Sequence, residues 1–148
     1  MYIKFCKIRD VKSPTRAHLT DAGLDFYVPN DFKPETLSKG EDILIPSGIK
    51  MEIPSGYVGI FYNKSGVAVK NKIIVGAQVI DAYYSGEIHL HIINFSEYPE
   101  WINPGMKIMQ MIITPIIAPI LIETKGDDLY SQMKIKDIRG ENGFGSSG

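Results

Sequence analysis

Short strand-like runs separated by turn residues constrain the fold of this chain more than any other feature. Ile88, Leu90 and Ile92 alternate with His89 and His91, and a period of two residues is typical of a strand with two unlike faces. No window keeps helical periodicity over three turns. The pattern predicts an all-β jelly roll or β-sandwich with at most one short helix. Strands are predicted at residues 3–8, 25–28, 43–45, 49–53, 57–62, 73–80, 87–94, 107–114 and 116–123.

The chain is long enough for one domain and ends in a segment of different composition. Its 148 residues fit a single domain with a sizeable core, which we expect at 1–138. One short helical turn is predicted at 65–71, with Ser65 as its N-cap. Residues 139–148 are rich in Gly and Ser and can bury little apolar area, so they are predicted to form a flexible arm.

The balance of charges and the single cysteine limit the partners and the compartment. The formal net charge is −1, which argues against nucleic acid or an anionic membrane as main partner, because both select a basic excess. Cys6 is the only cysteine, so a reducing compartment is favoured, and its apolar neighbours predict a small core residue. The N-terminus lacks an apolar signal segment, and Gln110, Pro115 and Pro119 interrupt the most apolar run. These features predict a soluble, cytoplasmic protein.

Residues 76–87 are predicted to form a β-hairpin with one acid and two tyrosines at its tip. A carboxylate on a rigid tip can deprotonate a bound water, so Asp81 is a candidate general base. Tyr84 offers a flat face beside it. The alternative is an ordinary turn, because Asp is common in turns and Tyr is common in strands.

Two further segments carry groups that suit phosphates and cations. Lys64, Ser65 and Gly66 precede or begin the predicted helix, where backbone N–H groups bind anionic oxygens and glycine permits close approach. Asp21 and Asp25 flank a glycine and could serve a hard cation directly or through its waters. Ordinary turns and solvated loop acids are the alternatives.

The end of the chain combines small residues with one aromatic ring and one guanidinium. Free N–H groups around Gly145, Ser146 and Ser147 can wrap a polyphosphate, Arg139 can pair with it, and Phe144 can stack on a base. A flexible tail or an engineered remnant is the alternative.

The three histidines are not expected to form a metal site. His89 and His91 lie on one face of a predicted strand, as zinc ligands can, but no nearby Cys or His completes a set. His18 is predicted to be a loop residue.

Taken in order, these segments resemble the five motifs of the trimeric dUTP pyrophosphatase (dUTPase) family, over nearly the whole chain. The similar segments are 22–25, 64–68, 76–87, 105–110 and 139–148. The resemblance implies a homotrimer of jelly-roll (β-clip) subunits, with active sites at the subunit interfaces and the C-terminal arm closing over bound nucleotide. It implies hydrolysis of dUTP to dUMP and diphosphate with Mg²⁺, which lowers dUTP and supplies dUMP for dTMP synthesis.

The resemblance also implies a role for each matching residue. Asp81 would activate the water that attacks the α-phosphorus in line, and Tyr84 would pack under the deoxyribose. Asp25 would act through water bound to Mg²⁺, the ion being held mainly by substrate phosphates. The uracil would be contacted by the backbone of Ala77, Gln78, Val79 and Ile80 and by the ring of Phe144. The substrate, chiefly its phosphates, would be held by Lys64, Ser65, Gly66, Gln110, Arg139, Gly145, Ser146 and Ser147.

Two departures and two alternatives accompany the resemblance. Lys64 stands where the family usually has Arg, so bidentate phosphate binding is lost there, and Gln78 stands where a small residue is common. The nearest alternative, dCTP deaminase, shares the fold and uses a Glu on the strand after the hairpin, where this chain has His91. The other alternative is a non-catalytic jelly-roll binding module, and a regulatory protein partner stays open.

Overall fold

The structure is a computed structural model that describes residues 1–126, 129 and 130. Residues Met1–Ala118 form one compact unit, and a second unit begins at Pro119. The predicted domain end at residue 138 and the predicted arm lie outside the described residues.

Short strands dominate the described part of the chain, and its only α-helix is α1 (Ser65–Lys70), so the all-β prediction with one short helix is confirmed. The strands are β1 (Phe5–Lys7), β2 (Leu24–Tyr27), β3 (Glu35–Leu37), β4 (Asp42–Pro46), β5 (Ile49–Met51), β6 (Tyr57–Asn63), β7 (Ile73–Val75), β8 (Val79–Ile80), β9 (His89–Asn94), β10 (Glu100–Ile102) and β11 (Lys107–Pro115).

The strands pair antiparallel in every described sheet. One sheet has the order β2-β11-β6-β8, a second has the order β4-β9-β7, and two small sheets pair β1 with β5 and β10 with β3. Strand β11 lies between β2 and β6, where Gln110 is opposite Asp25 on one side and Tyr62 on the other. The central strand therefore lies between the first motif-like segment, 22–25, and the strand that leads into the second, 64–68.

The core confirms the alternation predicted for β9. Leu90 and Ile92 are completely buried, whereas His91 between them stays partly exposed. Phe26 and Phe61 pack edge to face in the same core, with ring centroids 5.0 Å apart.

The predicted hairpin at 76–87 forms only in part, because its two arms diverge. β7 and β9 pair with Val75 opposite Ile92, as a hairpin requires. The chain then leaves β9, and β8 pairs with β6 instead, with Ile80 opposite Gly59. The segment between Val75 and β8 therefore crosses from one sheet to the other.

The strand predicted at 116–123 is wrong. β11 ends at Pro115, and no described residue beyond it lies in a strand. Proline has no N–H to donate to a ladder, and Pro115 and Pro119 bracket the start of this run. The apolar side chain of Ile117 is 91% exposed, so its apolar character does not reflect burial in this chain.

Two local expectations about single residues are also wrong. Cys6 is exposed rather than in the core. Among the described strands β1 pairs only with β5, and all three of its residues are exposed in the single chain. The N-cap of α1 is Lys64 rather than Ser65, and no side chain in the described part of the chain caps this helix. His18 lies in a loop as predicted.

Candidate active site

A buried carboxylate with two lysines forms the centre of the first polar cluster. Asp25 lies on β2 with its side chain only 6% exposed. One of its oxygens accepts from the Lys64 ammonium, and the other lies 3.0 Å from the Lys107 Nζ. The hydrogen bond to Asp25, helped by the attraction of its charge, raises the pKa of Lys107 above the ordinary value. The cluster holds two cations beside one anion.

Lys107 reaches this cluster because β11 contains a bulge. The register with β2 shifts between Lys107 and Met109. Lys107 is opposite Tyr27 and Met109 is opposite Phe26, so β11 has one extra residue in this interval. In a regular strand Lys107 and Gln110 would face opposite sides, since their separation is odd. The extra residue brings both to the face of Asp25. The sequence did not identify Lys107 as a site residue, because no residue type in this segment indicates a bulge.

Gln110 is held in a fixed orientation next to the lysines. Its Nε2 donates to the backbone oxygen of Asn63 at 2.9 Å. A Cβ on Gly23 would overlap the Gln110 amide, so only glycine leaves room for this side chain. The contact explains why glycine precedes Leu24 in the first motif-like segment.

The cluster lines a polar cavity of about 340 Å³ at the surface of the compact unit. Lys64, Lys107 and the fixed Gln110 amide offer this space donors for an anionic ligand, while the formal charges of the two lysines are balanced by Asp21 and Asp25. Asp21 also lines it, and a hydrogen bond from the His18 backbone N–H lowers the pKa of this carboxyl. The lining residues are Ala17, Asp21, Ala22, Gly23, Asp25, Lys64, Lys107, Gln110 and Ile112.

Ser65 and Gly66 lie exposed at the start of α1, directly after Lys64. A Cβ on Gly66 would meet no atom of the described residues within 4 Å. The packing of the described chain therefore gives no reason for glycine at this position, and space for a ligand remains beside it.

A second, separate cavity of about 290 Å³ lies beside the crossing segment, which is the stretch between β7 and β8 that passes from one sheet to the other. Its backbone is tied to both neighbouring strands, since Phe61 N donates to Gln78 O at 2.9 Å and Ala77 N donates to His91 Nδ1 at 2.8 Å. Its lining includes the residues predicted to contact a base and a sugar. The lining residues are Leu44, Ala77, Val79, Ile80, Asp81, Tyr84 and His89.

The tip of this segment exposes Asp81 and fixes Tyr84. Asp81 is exposed, and no side-chain hydrogen bond or ion pair within the described residues uses its carboxylate. The Tyr84 hydroxyl donates to Glu87 O at 3.1 Å, which orients the ring. Tyr83 between them has a φ of 62°, the left-handed value that lets the tip turn sharply.

Gln78 fits the crossing segment without backbone strain. Its side chain is exposed, and it is not among the described residues with positive φ. The exposed side chain explains how a larger residue is tolerated where a small one is common.

The structure does not bring the two cavities together within one chain. Ile80 is opposite Gly59, so the next residue, Asp81, lies near Val58. Val58 precedes Lys64 by six residues, and Lys64 directly follows the end of β6. An extended chain rises about 3.3 Å per residue, which separates Asp81 from Lys64 by about 20 Å. The two cavities share no lining residue. Arg139, Phe144, Gly145, Ser146 and Ser147 lie outside the described residues.

The histidines do not form a metal centre in the described part of the chain. His91 Nε2 lies 2.9 Å from Asp42 Oδ2, and His89 Nδ1 lies 2.9 Å from Glu87 O. No group of three or more His, Cys, Asp or Glu side chains within residues 1–126, 129 and 130 is arranged to hold a metal ion.

Comparison with known proteins assigns this arrangement to a family. The family model described as dUTPase matches residues 9–148. The chain belongs to the dUTPase family. It is 36% identical over 144 residues to the deoxyuridine 5′-triphosphate nucleotidohydrolase of Mycolicibacterium vanbaalenii, covering 95% of this chain and 90% of that protein. It is 37% identical to the protein of the same name from Clostridium tetani, covering 99% and 94% of the two chains.

Solved structures of the dUTPase family share the fold. The Staphylococcus bacteriophage 80alpha dUTPase with dUpNHpp superposes with a TM-score of 0.84 at 27% identity, covering 99% of this chain and 98% of that chain. A variant of the dUTPase from phage phi11 of S. aureus, whose structure describes a structural Mg(II) ion, gives a TM-score of 0.76 at 25% identity, covering 84% and 97%. The predicted dUTPase-like jelly roll is confirmed.

Proposed function

We propose that this chain hydrolyses dUTP to dUMP and diphosphate. The observation that supports this most directly is the free Asp81 carboxylate at the edge of a cavity bounded by Tyr84, on a chain of the dUTPase family. A general base must be able to accept a proton from a nearby water. The Asp81 carboxylate makes no hydrogen bond or ion pair within the described residues, so it is available for this role.

Asp81 takes the proton of the attacking water in this proposal. The water oxygen forms a bond to the α-phosphorus while the bond from that phosphorus to the bridging oxygen breaks, and diphosphate leaves with the electron pair. Such a reaction requires positioning and charge neutralisation more than covalent help from the protein. Asp81 supplies the orientation of the water, and the ammonium groups of Lys64 and Lys107 help to neutralise the phosphate charge.

The phosphates would occupy the cavity of Lys64, Lys107 and Gln110. Two ammonium groups and one amide line that space, and Ser65 and Gly66 directly follow Lys64 in the chain. Lys64 replaces the Arg that is usual in the family, and an ammonium is a point charge without a planar fork. We therefore expect weaker phosphate binding at this position, with the reaction unchanged.

The nucleoside would occupy the cavity of the crossing segment. Ala77, Val79 and Ile80 line this space, and the backbone of residues 77–80 would read the edge of a uracil. The Tyr84 ring is oriented to pack against the sugar. A site that pairs every polar group of the correct base rejects a wrong one strongly, because buried groups are then left unpaired. No Glu lies between Ile88 and Asn94, which argues against dCTP deamination.

The complete site requires more than one copy of the chain, and we propose a homotrimer. The phosphorus attacked by water is one bridging oxygen away from the next phosphate, yet Asp81 lies about 20 Å from Lys64 in the same chain at about 3.3 Å per strand residue. Asp81 of one subunit and Lys64 of another would share a nucleotide at the interface. Large apolar side chains on the surface of the single chain support such an assembly, among them Phe5, Val69, Phe95 and Trp101.

Mg²⁺ fits this site only through its water shell. Both oxygens of Asp25 already bind lysines, so the carboxylate is not free to ligate a cation directly. Mg²⁺ keeps several of its waters in such sites and is bound largely by substrate phosphates. The ion would neutralise phosphate charge, and Asp25 would orient its waters.

The remaining proposals concern the arm and the cellular setting. The family match extends through residues 139–148, which supports an arm that closes over the nucleotide with Arg139 and Phe144. In the part of the chain that the structure describes, no helix has the length and apolar character to cross a membrane. A cytoplasmic location, the absence of a nucleic-acid partner and an additional regulatory partner stay predictions.

Incubation with dUTP and, separately, dCTP in the presence of Mg²⁺ tests the proposed activity. We expect diphosphate and dUMP from dUTP and no ammonia from dCTP. Chelation of the metal should suppress diphosphate release. Ammonia release from dCTP, or no product from dUTP, would contradict the proposal.

A further inference from the structure

The ring of His91 links strand β4 to the segment between β7 and β8, where the chain crosses between sheets. Its Nδ1 accepts from the Ala77 backbone N–H at 2.8 Å, and its Nε2 lies 2.9 Å from Asp42 Oδ2. The backbone oxygen of His91 accepts from Gly76 N at 2.9 Å. One residue therefore binds two successive backbone N–H groups of the crossing segment.

The protonation of the ring follows from these partners. A backbone N–H can only donate, so Nδ1 must be the unprotonated nitrogen. The proton of the neutral ring is then on Nε2, which donates to the Asp42 carboxylate. Asp42 lies on β4 and thus holds the ring in the tautomer that Ala77 requires.

Gly76 lies against the same ring and leaves space for it because it has no side chain. A Cβ on Gly76 would overlap three atoms of the His91 imidazole. Gly76 is not among the glycines with positive φ, so the reason for glycine here is the close approach of the ring rather than backbone conformation. The ring and the glycine therefore form one packed unit.

The bond to Ala77 lies where the segment pairs with none of the described strands. The ladder with β9 ends at Val75, and the ladder with β6 begins at Val79. Between them the backbone is held by His91 on one side and by the bond from Phe61 N to Gln78 O on the other. The imidazole replaces the strand that would otherwise bind Ala77.

We propose that His91 is a positioning residue for base recognition: its imidazole fixes the backbone of residues 77–80 that contacts the uracil edge. The inference rests on the proposed function, since it assigns a role within the same site. His91 does not act on the reacting phosphorus, because Asp81 follows the β8 ladder, which holds it independently of the ring. Losing the imidazole should therefore weaken base binding and selectivity far more than turnover.

Two substitutions distinguish the hydrogen bond that His91 accepts from the space that its side chain fills. In His91→Asn the amide lies where Nδ1 was, so it can still accept from Ala77, whereas in His91→Gln the amide lies nearer the position of Nε2. We expect the KM for dUTP to rise about 10-fold in His91→Gln with kcat within about 3-fold of the wild type. His91→Asn should keep its KM within about 3-fold of the wild type. The preference for dUTP over dCTP should fall in His91→Gln alone.

Amide hydrogen exchange at Ala77 provides a readout that does not depend on turnover. We expect slow exchange in the wild type and His91→Asn, and exchange at least about 10-fold faster in His91→Gln. Equal KM values in wild type and His91→Gln, or equally slow exchange at Ala77 in all three proteins, would overturn the inference. If the wild type does not hydrolyse dUTP, the proposed function fails, and the exchange rates alone decide the role of His91.

A second pair of variants covers the case in which His91→Gln does not fold. Gly76→Ala should lower the thermal midpoint in the wild-type background, because its Cβ meets the ring. The same change in His91→Ala should cost little, since the ring is absent, and such non-additivity measures the contact directly. Equal costs in both backgrounds would contradict the packed unit.

Discussion

Gln110 and Asp25 are directly opposite each other across β11 and β2. Partners at opposed positions of an antiparallel pair place their side chains on the same face of the sheet. The pairing therefore puts a fixed amide beside a carboxylate that already binds two lysines. An anionic ligand entering this cavity meets donors from β11 and from Lys64 at the start of α1.

The Asp25–Lys107 pair predicts a pH effect that nuclear magnetic resonance can measure. Asp25→Asn removes the acceptor charge, so the pKa of Lys107 should fall back toward its ordinary value of 10.5. Because the pKa is raised in the folded protein, the pair stabilises the fold fully below pH 10.5, and this stabilisation is lost as the pH rises through the folded value. The variant should lack this loss.

Titration of the Lys107 side-chain resonances with pH tests this expectation. Asp31→Asn is a matched control, because Asp31 binds Arg9 and not the lysines of the cavity. A Lys107 titration that is identical in wild type and Asp25→Asn would remove Asp25 as the cause of the raised pKa.

Asp81→Asn should retain nucleotide binding and lose most turnover. The amide keeps the size of the side chain but cannot accept the proton of water, and loss of a general base typically costs about 100- to 10,000-fold in rate. Binding of a non-hydrolysable dUTP analogue and single-turnover rates should be measured on the same preparation. Asp10→Asn, at an exposed position outside both cavities, is the control, and a fully active Asp81→Asn would exclude Asp81 as the base.

Features set by local periodicity were predictable from the sequence. The alternation of β9 identified Leu90 and Ile92 as core residues, because a strand period of two follows from backbone geometry alone. The short helix at Ser65–Lys70 was predicted within one residue. The residues of the tip, Asp81 and Tyr84, were selected by their chemistry and order along the chain.

Features set by long-range register were not predictable in this way. The bulge between Lys107 and Met109 adds Lys107 to the cavity, and only the pairing with β2 reveals it. Strands β3 (Glu35–Leu37) and β10 (Glu100–Ile102) were missed, because each has three residues and its partner is distant in sequence. The divergence of β8 from β9 also depends on a long-range pairing, because β8 pairs with β6 and Ile80 is opposite Gly59.

Deletion of residues 139–148 should remove most activity and leave the assembly folded. The prediction rests on the sequence, because these residues lie outside the described part of the structure. The buried core lies within residues 11–111, so truncation should leave its packing intact. Size-exclusion chromatography and circular dichroism check the fold, and diphosphate release checks the activity. Failure of the truncated protein to assemble would show that the arm is structural.

Mixing two inactive variants tests whether the site is shared between subunits. Asp81→Asn lacks the base, and Gln110→Ala lacks the fixed amide of the other cavity. If each site takes Asp81 from one chain and Gln110 from another, coexpression regenerates sites that contain both intact residues. Random assortment of equal amounts in a cyclic trimer should restore about one quarter of all sites, which is about one third of the sites in assemblies that contain both variants.

The two variants should carry different affinity tags, so that mixed assemblies are isolated by two successive purifications. Each variant coexpressed with a differently tagged copy of itself is the control and should stay inactive. Activity per site is then compared with that of the wild type. Because Asp81 and Gln110 line cavities that share no residue within the chain, recovery requires contact between copies. Mixed assemblies as inactive as their parents would show that each site belongs to a single chain and would contradict the proposed interface.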